Sequence, residues 1–541
     1  MRIGRVSISE KHKSTTDEFH FWLDNDQIVD TFDIIKVPHL KNSHTYALIR
    51  DLTYITDSPG HMGNFVSYDF GDTDAEPITE RLGVTYATAQ VLSNNKEIYM
   101  PVRDGNSVQF ANADEIKIAL GLDNVKQEIP AGFISMSNNT SVPVCFDADF
   151  LIGPEGAHLN ISGISGLATK TSYAMFLLQA IQQKQKDTAI IILNVKGRDL
   201  LRINESAEDT DGREDWEKCG LEFKPFDNVK FFYPFDKNPD RSYSRTHLPS
   251  NILKQQHESG KAANYVYTYK EHRDKIELLF SNVEDTNQTL DSILVKISED
   301  SEFNVPDWKK FLDKVSEYTQ ASSGKDKEIT INSWRRFKRL LNSSIKPYLG
   351  NSLFQNSKST DPKHGHCFLS EEIQNIKSGD VFVVDIAALE EQLQCLVFGD
   401  IVDAVYQLKN EGRDSDEPVP SKIIIFVDEL NKYAPAATKS TPILNLLLEI
   451  AERGRSMGII LFSAQQFKSA VHSRITGNSG THVFGRTNSI EVAKKDYNFI
   501  SDTFKSMMTR LNKGELIIQH PIFRTLLKIK FPKPSYFQSK E

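Results

Sequence analysis

Six short, almost purely apolar runs set the strongest limit on how this chain folds. They are TAIIILNV (Thr188 to Val195), VKFFY (Val229 to Tyr233), VFVVDI (Val381 to Ile386), IIIFV (Ile423 to Val427), GIILF (Gly458 to Phe462) and HVF (His482 to Phe484). A strand that is apolar at nearly every position has no face to offer to water, so both faces must be covered. Helix-forming stretches separate the runs, as in strands joined by crossover helices. The expectation is an α/β fold with a parallel sheet covered on both faces.

With 541 residues the chain is long enough for two to four domains. Residues 1–110 read as β-rich: runs of β-branched and aromatic residues recur at Ile3 to Ile8, Phe19 to Leu23, Ile34 to Val37, Tyr46 to Thr56, Val84 to Leu92 and Val108 to Phe110. Turn-forming DND, SPGHMG and RDGN separate them, which predicts a small barrel or sandwich. From about 240 to 375 the strand–helix alternation stops and polar helical stretches such as DWKKFLDKVSEY and SWRRFKRLLNSSI take over. Arg335, Arg336, Lys338 and Arg339 form a basic cluster there. Trp334, Phe337 and Leu341 fall at core-facing spacing, so the cluster reads as a solvated helix face. The resulting division is 1–110 barrel, 111–240 first part of the α/β core, 241–377 helical insertion and 378–541 second part of the core.

A net charge of -9 excludes a globally basic surface, so any nucleic-acid contact must be local. Cys145, Cys219, Cys367 and Cys395 are scattered without a CxxC pair, which argues against a zinc ribbon or disulfide framework and fits a reducing cytoplasm. No run approaches the ~20 apolar residues of a membrane span, and MRIGRVSISEKHKS lacks a signal-peptide core.

Three segments carry chemistry. LNISGISGLATKTS (Leu159 to Ser172) begins as a short strand, turns through Gly163 and Gly166, and enters the helical run YAMFLLQAI. A strand, a Gly-containing turn and a Lys-Thr pair opening a helix form a phosphate-cradling P-loop. Backbone N–H groups and the positive helix end face the polyphosphate, Lys170 reaches its terminal phosphates, and the Thr171 hydroxyl holds Mg2+. Gly163, Gly166, Ala168, Thr169, Lys170, Thr171 and Ser172 are therefore the candidate ATP-binding residues. The spacing departs from G-x-x-x-x-G-K-[ST]: six residues separate Gly163 from Lys170, and Thr169 stands where a glycine precedes the lysine. Alone, the segment also reads as an ordinary Gly-Ser turn.

In KIIIFVDELNKYAP (Lys422 to Pro435) an apolar strand ends in Asp428 and Glu429, at the edge where α/β sheets bind ligands. Asp428 suits Mg2+ coordination and Glu429 suits polarising an attacking water. An acidic helix cap after a strand is the bland alternative. The third segment, Ile450 to Thr487, runs helix, arginines, strand, and ends that strand in Ser463, Ala464, Gln465 and Gln466. A glutamine at that strand end suits sensing a γ-phosphate or orienting water. Arg453 and Arg455 end the preceding helix, where C-terminal capping alone explains basic residues. In a ring they would face a neighbour's nucleotide and act as a finger in trans.

Together these segments resemble the HerA–FtsK superfamily of ring-forming pumping ATPases, and HerA more than FtsK. The resemblance spans roughly 1–200 and 378–535, is strongest from Lys422 to Thr487, and is absent from the helical insertion. It implies a RecA-like P-loop ATPase core behind an N-terminal barrel. Lys170 would be the Walker A lysine, Thr171 the Mg2+ hydroxyl, Asp428 and Glu429 the Walker B pair, Gln465 the sensor, and Arg455 or Arg453 the trans finger. It further implies a hexameric ring acting on double-stranded DNA, with a nuclease or other effector docked on the barrel end, in DNA end processing or phage defence. Two other readings stay open: a nucleotide-binding ring that scaffolds an effector without pumping DNA, and a P-loop protein that moves protein or membrane cargo.

Overall fold

The computed structural model describes residues 2–58, 60–74, 82–164, 169–281, 283, 289–320, 328–361, 365–413, 416–438 and 440–538. Six strands close the N-terminal barrel: β1 (Arg2–Val6), β2 (Glu18–Leu23), β3 (Ile34–His39), β4 (Ser43–Thr56), β5 (Gly83–Asn94) and β6 (Ser107–Phe110). Their order is β1-β2-β5-β4-β3-β6, with β6 pairing back onto β1. Closure leaves no free edge for another chain to extend. Alternate residues such as Phe19, Phe21, Ile35, Val37, Ala47 and Ile49 fill the interior. Phe32, Ile34, Tyr46 and Leu48 point the other way, into the apolar cluster of the following sheet, where the Phe32 ring meets Phe504 edge-on at 4.8 Å.

That sheet is built from β7 (Glu128–Ser135), β8 (Ser141–Asp147), β9 (Leu159–Ser162), β10 (Thr188–Asn194), β11 (Val229–Pro234), β12 (Ala262–Tyr265), β15 (His366–Cys367), β16 (Val381–Asp385), β17 (Lys422–Asp428), β18 (Ile459–Gln465), β19 (Thr481–Phe484), β20 (Glu515–Gln519) and β21 (Leu527–Lys530). A separate short pair joins β13 (Tyr267–Thr268) and β14 (Phe354–Gln355). Among the described residues the sheet order is β15-β12-β11-β16-β10-β17-β18-β9-β19-β20-β21-β7-β8. From β15 to β19 every pairing is parallel. From β19 to β8 every pairing is antiparallel, so the expected parallel sheet carries an antiparallel wing. The two-residue period explains how the apolar runs are used. Ile190 and Ile192 of β10, with Ile424 and Phe426 of β17, face one core, while Ile191, Leu193, Ile423 and Ile425 face the other.

Helix α1 (Thr169–Lys184) covers the first face with Tyr173 through Leu178. Helices α5 (Glu391–Glu411) and α6 (Pro442–Met457) cover the second, together with the helices of the insertion. Among those are α2 (Thr289–Glu299), α3 (Trp308–Tyr318) and α4 (Ile331–Ser344). The basic-cluster helix packs as its spacing predicts: Trp334, Phe337 and Leu341 are fully buried, and Trp334 stacks on Phe303. Each such side chain contributes roughly 1.5–3 kcal/mol by leaving water. The segment 241–377 is not purely helical, because β12 and β15 extend the parallel edge of the sheet. At four and two residues, these strands are too short to show a period in sequence. No helix among the described residues is long and apolar enough to cross a membrane.

The α/β core thus has β9 flanked by β18 and β19, with β17 and β10 beyond β18. This is a RecA-like arrangement, preceded by the barrel and interrupted by the insertion.

Candidate functional site at the carboxyl edge of the sheet

In a parallel sheet all strands end on one edge, and here β9, β18, β17 and β10 end level. Ser162 pairs with Gln465, Asp428 with Ala464, and Leu193 with Val427. Whatever follows those strands is brought together. After β9 the chain is pinned: the Gly163 N–H donates to the Gln465 carbonyl at 3.2 Å and the Ile164 N–H to the Arg486 carbonyl at 2.7 Å. A Cβ on Gly163 would meet the Gly485 Cα at 3.1 Å, so a side chain there would force two backbones apart. Gly166 and Ala168 lie outside the described residues. Thr169 then opens α1.

Lys170 is buried, and its Nζ donates to the Gly163 carbonyl at 2.8 Å. It forms no ion pair among the described residues. Burial lowers its pKa, and the charges of Asp428 and Glu429 work against that lowering. One residue on, the Thr171 hydroxyl donates to Asp428 Oδ2 at 3.2 Å. Ser172 is half-buried on the same first turn.

Asp428 and Glu429 are 7% and 5% exposed. Glu429 has φ 58 and ψ 45, the left-handed region that a residue with a Cβ enters at a cost of order 1–3 kcal/mol. Its N–H donates to Asp428 Oδ1 at 2.9 Å, which stabilises the turn. The turn brings the Glu429 carboxylate to Lys196, whose ammonium pairs with Glu429 Oε1 and lies 3.7 Å from Asp428 Oδ2. Gln466 Nε2 donates to Glu429 Oε1 at 3.4 Å. Burial alone would raise the Glu429 pKa. The hydrogen bond and charge of Lys196, helped by Gln466 and Lys170, outweigh it and hold the carboxyl below its usual range.

Lys196 did not emerge as a candidate from the sequence, and of the two glutamines ending β18 the resemblance selects Gln465 rather than Gln466. Lys196 had a signal: it stands two residues beyond the end of β10, beside β17, on the edge where strand ends converge. Gln465 sits elsewhere than the sensor reading places it. It is fully buried, and its Nε2 donates to Asn160 Oδ1 of β9 at 2.9 Å. Alternation along the strand turns Gln465 into the sheet layer and leaves Gln466 beside Glu429.

Arg453 and Arg455 are not brought to this edge. They end α6, before β18 begins, and β18 runs about 20 Å from there to the site. The helix stops at Gly458, φ 73, whose N–H donates to the Arg455 carbonyl at 3.2 Å. A Cβ there would strike the Ser421 carbonyl at 2.2 Å. Both arginines are exposed: Arg453 pairs with Glu449 at 3.4 Å and Arg455 donates to the Glu155 carbonyl at 3.1 Å. Neither meets Lys170 or Glu429 within one chain.

The donor set fits Mg2+. A hydroxyl and a carboxylate oxygen 3.2 Å apart suit adjacent positions of an octahedron, the rest coming from phosphate and water. No cluster of three or more His, Cys, Asp or Glu able to hold a metal occurs among the described residues.

No protein-family model matches the sequence. No curated protein matches it. Among solved structures the chain is similar to a bacterial conjugative coupling protein, TrwBdeltaN70, at 11% identity and TM-score 0.44, covering 79% of this chain and 95% of that one. It is also similar to VirB4 of Thermoanaerobacter pseudethanolicus, at 12% identity and TM-score 0.42, covering 75% of this chain and 97% of that one. A third is the genome packaging NTPase B204 of Sulfolobus turreted icosahedral virus 2 in complex with ATP-gammaS, at 15% identity and TM-score 0.23, covering 34% of this chain and 78% of that one.

Proposed function

We propose that this chain is a HerA-like ATPase of the HerA–FtsK type, coupling ATP hydrolysis to movement along, or remodelling of, double-stranded DNA. The observation that carries the reading is the contact of Thr171 with Asp428 at 3.2 Å, which sets the first turn of α1 against the strand end bearing Glu429. Lys170 would turn from the Gly163 carbonyl to the terminal phosphates. Thr171 and Asp428 would hold Mg2+, which supplies charge neutralisation on the phosphates when bound. Glu429, kept ionised by Lys196, would accept a proton from the attacking water. Gln466 is the amide placed to orient that water, with Gln465 behind it supporting the strand through Asn160.

Arg455, or Arg453, would complete a neighbour's site, which requires a closed heterologous ring, read here as a cytoplasmic hexamer. The barrel end would dock a nuclease or other effector, in DNA processing or phage defence. The engagement of Glu429 by Lys196 favours a second reading, a nucleotide-binding ring that assembles an effector without pumping DNA. Phosphate release from ATP by the purified chain, with and without double-stranded DNA, separates the two. DNA-stimulated turnover that is lost in Glu429→Gln supports the translocase, and binding without turnover supports the scaffold. A chain that binds no ATP in the presence of Mg2+ overturns both.

A further inference from the structure

Where β19 begins and the antiparallel β20 ends lies a cavity of about 580 Å3. We infer that it is a ligand site of its own, one that takes a small organic phosphate, a dianionic monoester carried on a flat apolar group. The inference does not depend on the nucleotide-site reading and draws on different residues.

The floor comes from strand pairing, which sets His482 opposite Gln519. Alternation turns His482 and Phe484 to the same side of β19, with ring centroids 6.2 Å apart. The chain that follows β18 comes over them and brings in Lys468, which is only 7% exposed. Its Nζ lies 5.4 Å from the Phe484 ring centre and 5.1 Å from that of Phe499. Aromatic faces hold an ammonium in place and leave its formal charge intact. Burial pushes the Lys468 pKa down, and the charge of Asp496 opposes that. Attraction between charges is stronger away from bulk water, so an anion beside Lys468 gains more than it would beside a surface lysine.

The charge on the walls selects the ligand. The charged lining residues are Lys468 and Arg524, both cationic. A phosphate monoester carries about −1.5 to −2 near neutral pH and matches the pair, whereas a carboxylate neutralises only one of them. His482 supplies a neutral donor. Its Nδ1 is buried and has no hydrogen-bond partner among the described residues, which favours the proton on Nε2. Burial first, and then the charge of Lys468, push the His482 pKa down to about 3. His520 is committed to the wall itself: its Nε2 accepts the Asp147 N–H at 3.2 Å, and its Nδ1 bonds the Thr481 hydroxyl at 2.7 Å. Phe499, 52% exposed, and Phe523 line the cavity with apolar surface for the group that carries the phosphate. The volume falls in the small-ligand range of roughly 300–1,000 Å3.

Phenyl phosphate is the probe, titrated into the full chain by calorimetry and followed by NMR of 13C-labelled histidine. The His482 signal, identified by its loss in His482→Gln, should move to saturation and titrate at a higher pH once the dianion is bound. Affinity should fall roughly tenfold or more in Lys468→Met and in Arg524→Ala. Arg524 is exposed, so its variant tests the site even where Lys468→Met fails to fold. Benzoate should bind more weakly than phenyl phosphate, and Lys170→Ala should leave phenyl phosphate binding unchanged. A His482 signal that does not move overturns the site. Binding that survives Arg524→Ala and is lost in Lys170→Ala assigns the anion to the P-loop and also overturns it. Benzoate binding as tightly as phenyl phosphate overturns the dianion. A single-stranded oligonucleotide that binds more tightly than phenyl phosphate, and is lost in the same two variants, replaces the small ligand with nucleic acid.

Discussion

At the carboxyl edge of the sheet, Lys170, Lys196, Asp428 and Glu429 are drawn together, three of them buried, and the carboxylates meet their cation inside one chain. At the opposite edge Arg453 and Arg455 stand in solvent, where among the described residues their guanidinium groups bond a side-chain carboxylate and a main-chain carbonyl respectively. The two edges belong to the same strands and differ in what burial does to charge. A buried charge that loses its partner costs several kcal/mol, whereas an exposed pair contributes about 0–1 kcal/mol. Residues at the first edge are therefore tied to their own subunit. The arginines carry almost no structural duty.

Removing the buried lysine should have the largest effect. Lys170→Ala is expected to abolish ATP binding, because Lys170 is the buried ammonium on the first turn of α1, within the field of Asp428 and Glu429. Calorimetric titration with Mg2+ and ATP checks it, and parent-like affinity would reduce the segment to a turn. Glu429→Gln should keep binding and lose turnover, since only the proton acceptor is removed.

Arg455→Ala sharpens the comparison from the other edge. If the arginine acts across a subunit boundary, turnover should fall by about 10^3 to 10^5 while folding and ATP binding persist. Mixing Arg455→Ala with Glu429→Gln subunits should restore partial activity, because some interfaces then pair an intact Glu429 with an intact neighbouring arginine. A mixture as inactive as either single variant would assign both residues to one subunit and remove the trans role.

A smaller, pH-dependent effect is expected from Lys196→Ala. Lys196 is what reverses the burial effect on Glu429, so its loss should raise the Glu429 pKa and move the acid limb of the turnover profile to higher pH. The stability consequence has the same sign. A depressed carboxyl pKa stabilises the fold above the ordinary value of 4.5, and that contribution is lost as pH falls through the folded value. The variant should unfold at a higher pH during acid titration, as read by circular dichroism. An unchanged acid limb would show that Lys196 does not set the Glu429 charge.

The smallest effect belongs to Arg453→Ala. Its pairing with Glu449 is an exposed i,i+4 contact, and removing it should cost only about 0.3–0.5 kcal/mol in thermal unfolding. A loss of several kcal/mol would mean that this edge is bound into the fold as tightly as the other and would break the contrast.

The apolar runs by themselves determined the parallel core: a run such as IIIFV must bury both faces, whatever surrounds it. The spacing of Trp334, Phe337 and Leu341 likewise determined which side of their helix turns inward. Lys170, Thr171, Asp428 and Glu429 were legible because they follow apolar runs, and strand ends in a parallel sheet converge. Other features depended on which strands become neighbours, something no local pattern records. Lys196 reaches Glu429 only because β10 lies beside β17, although more than 200 residues separate them in sequence. Gln466 rather than Gln465 meets Glu429 because strand alternation gives adjacent residues opposite directions, and sheet order decides which direction is the site. The antiparallel wing and the short strands β12 and β15 were also decided in three dimensions. Each is made by backbone hydrogen bonds between segments distant in sequence, and those bonds are indifferent to side-chain identity.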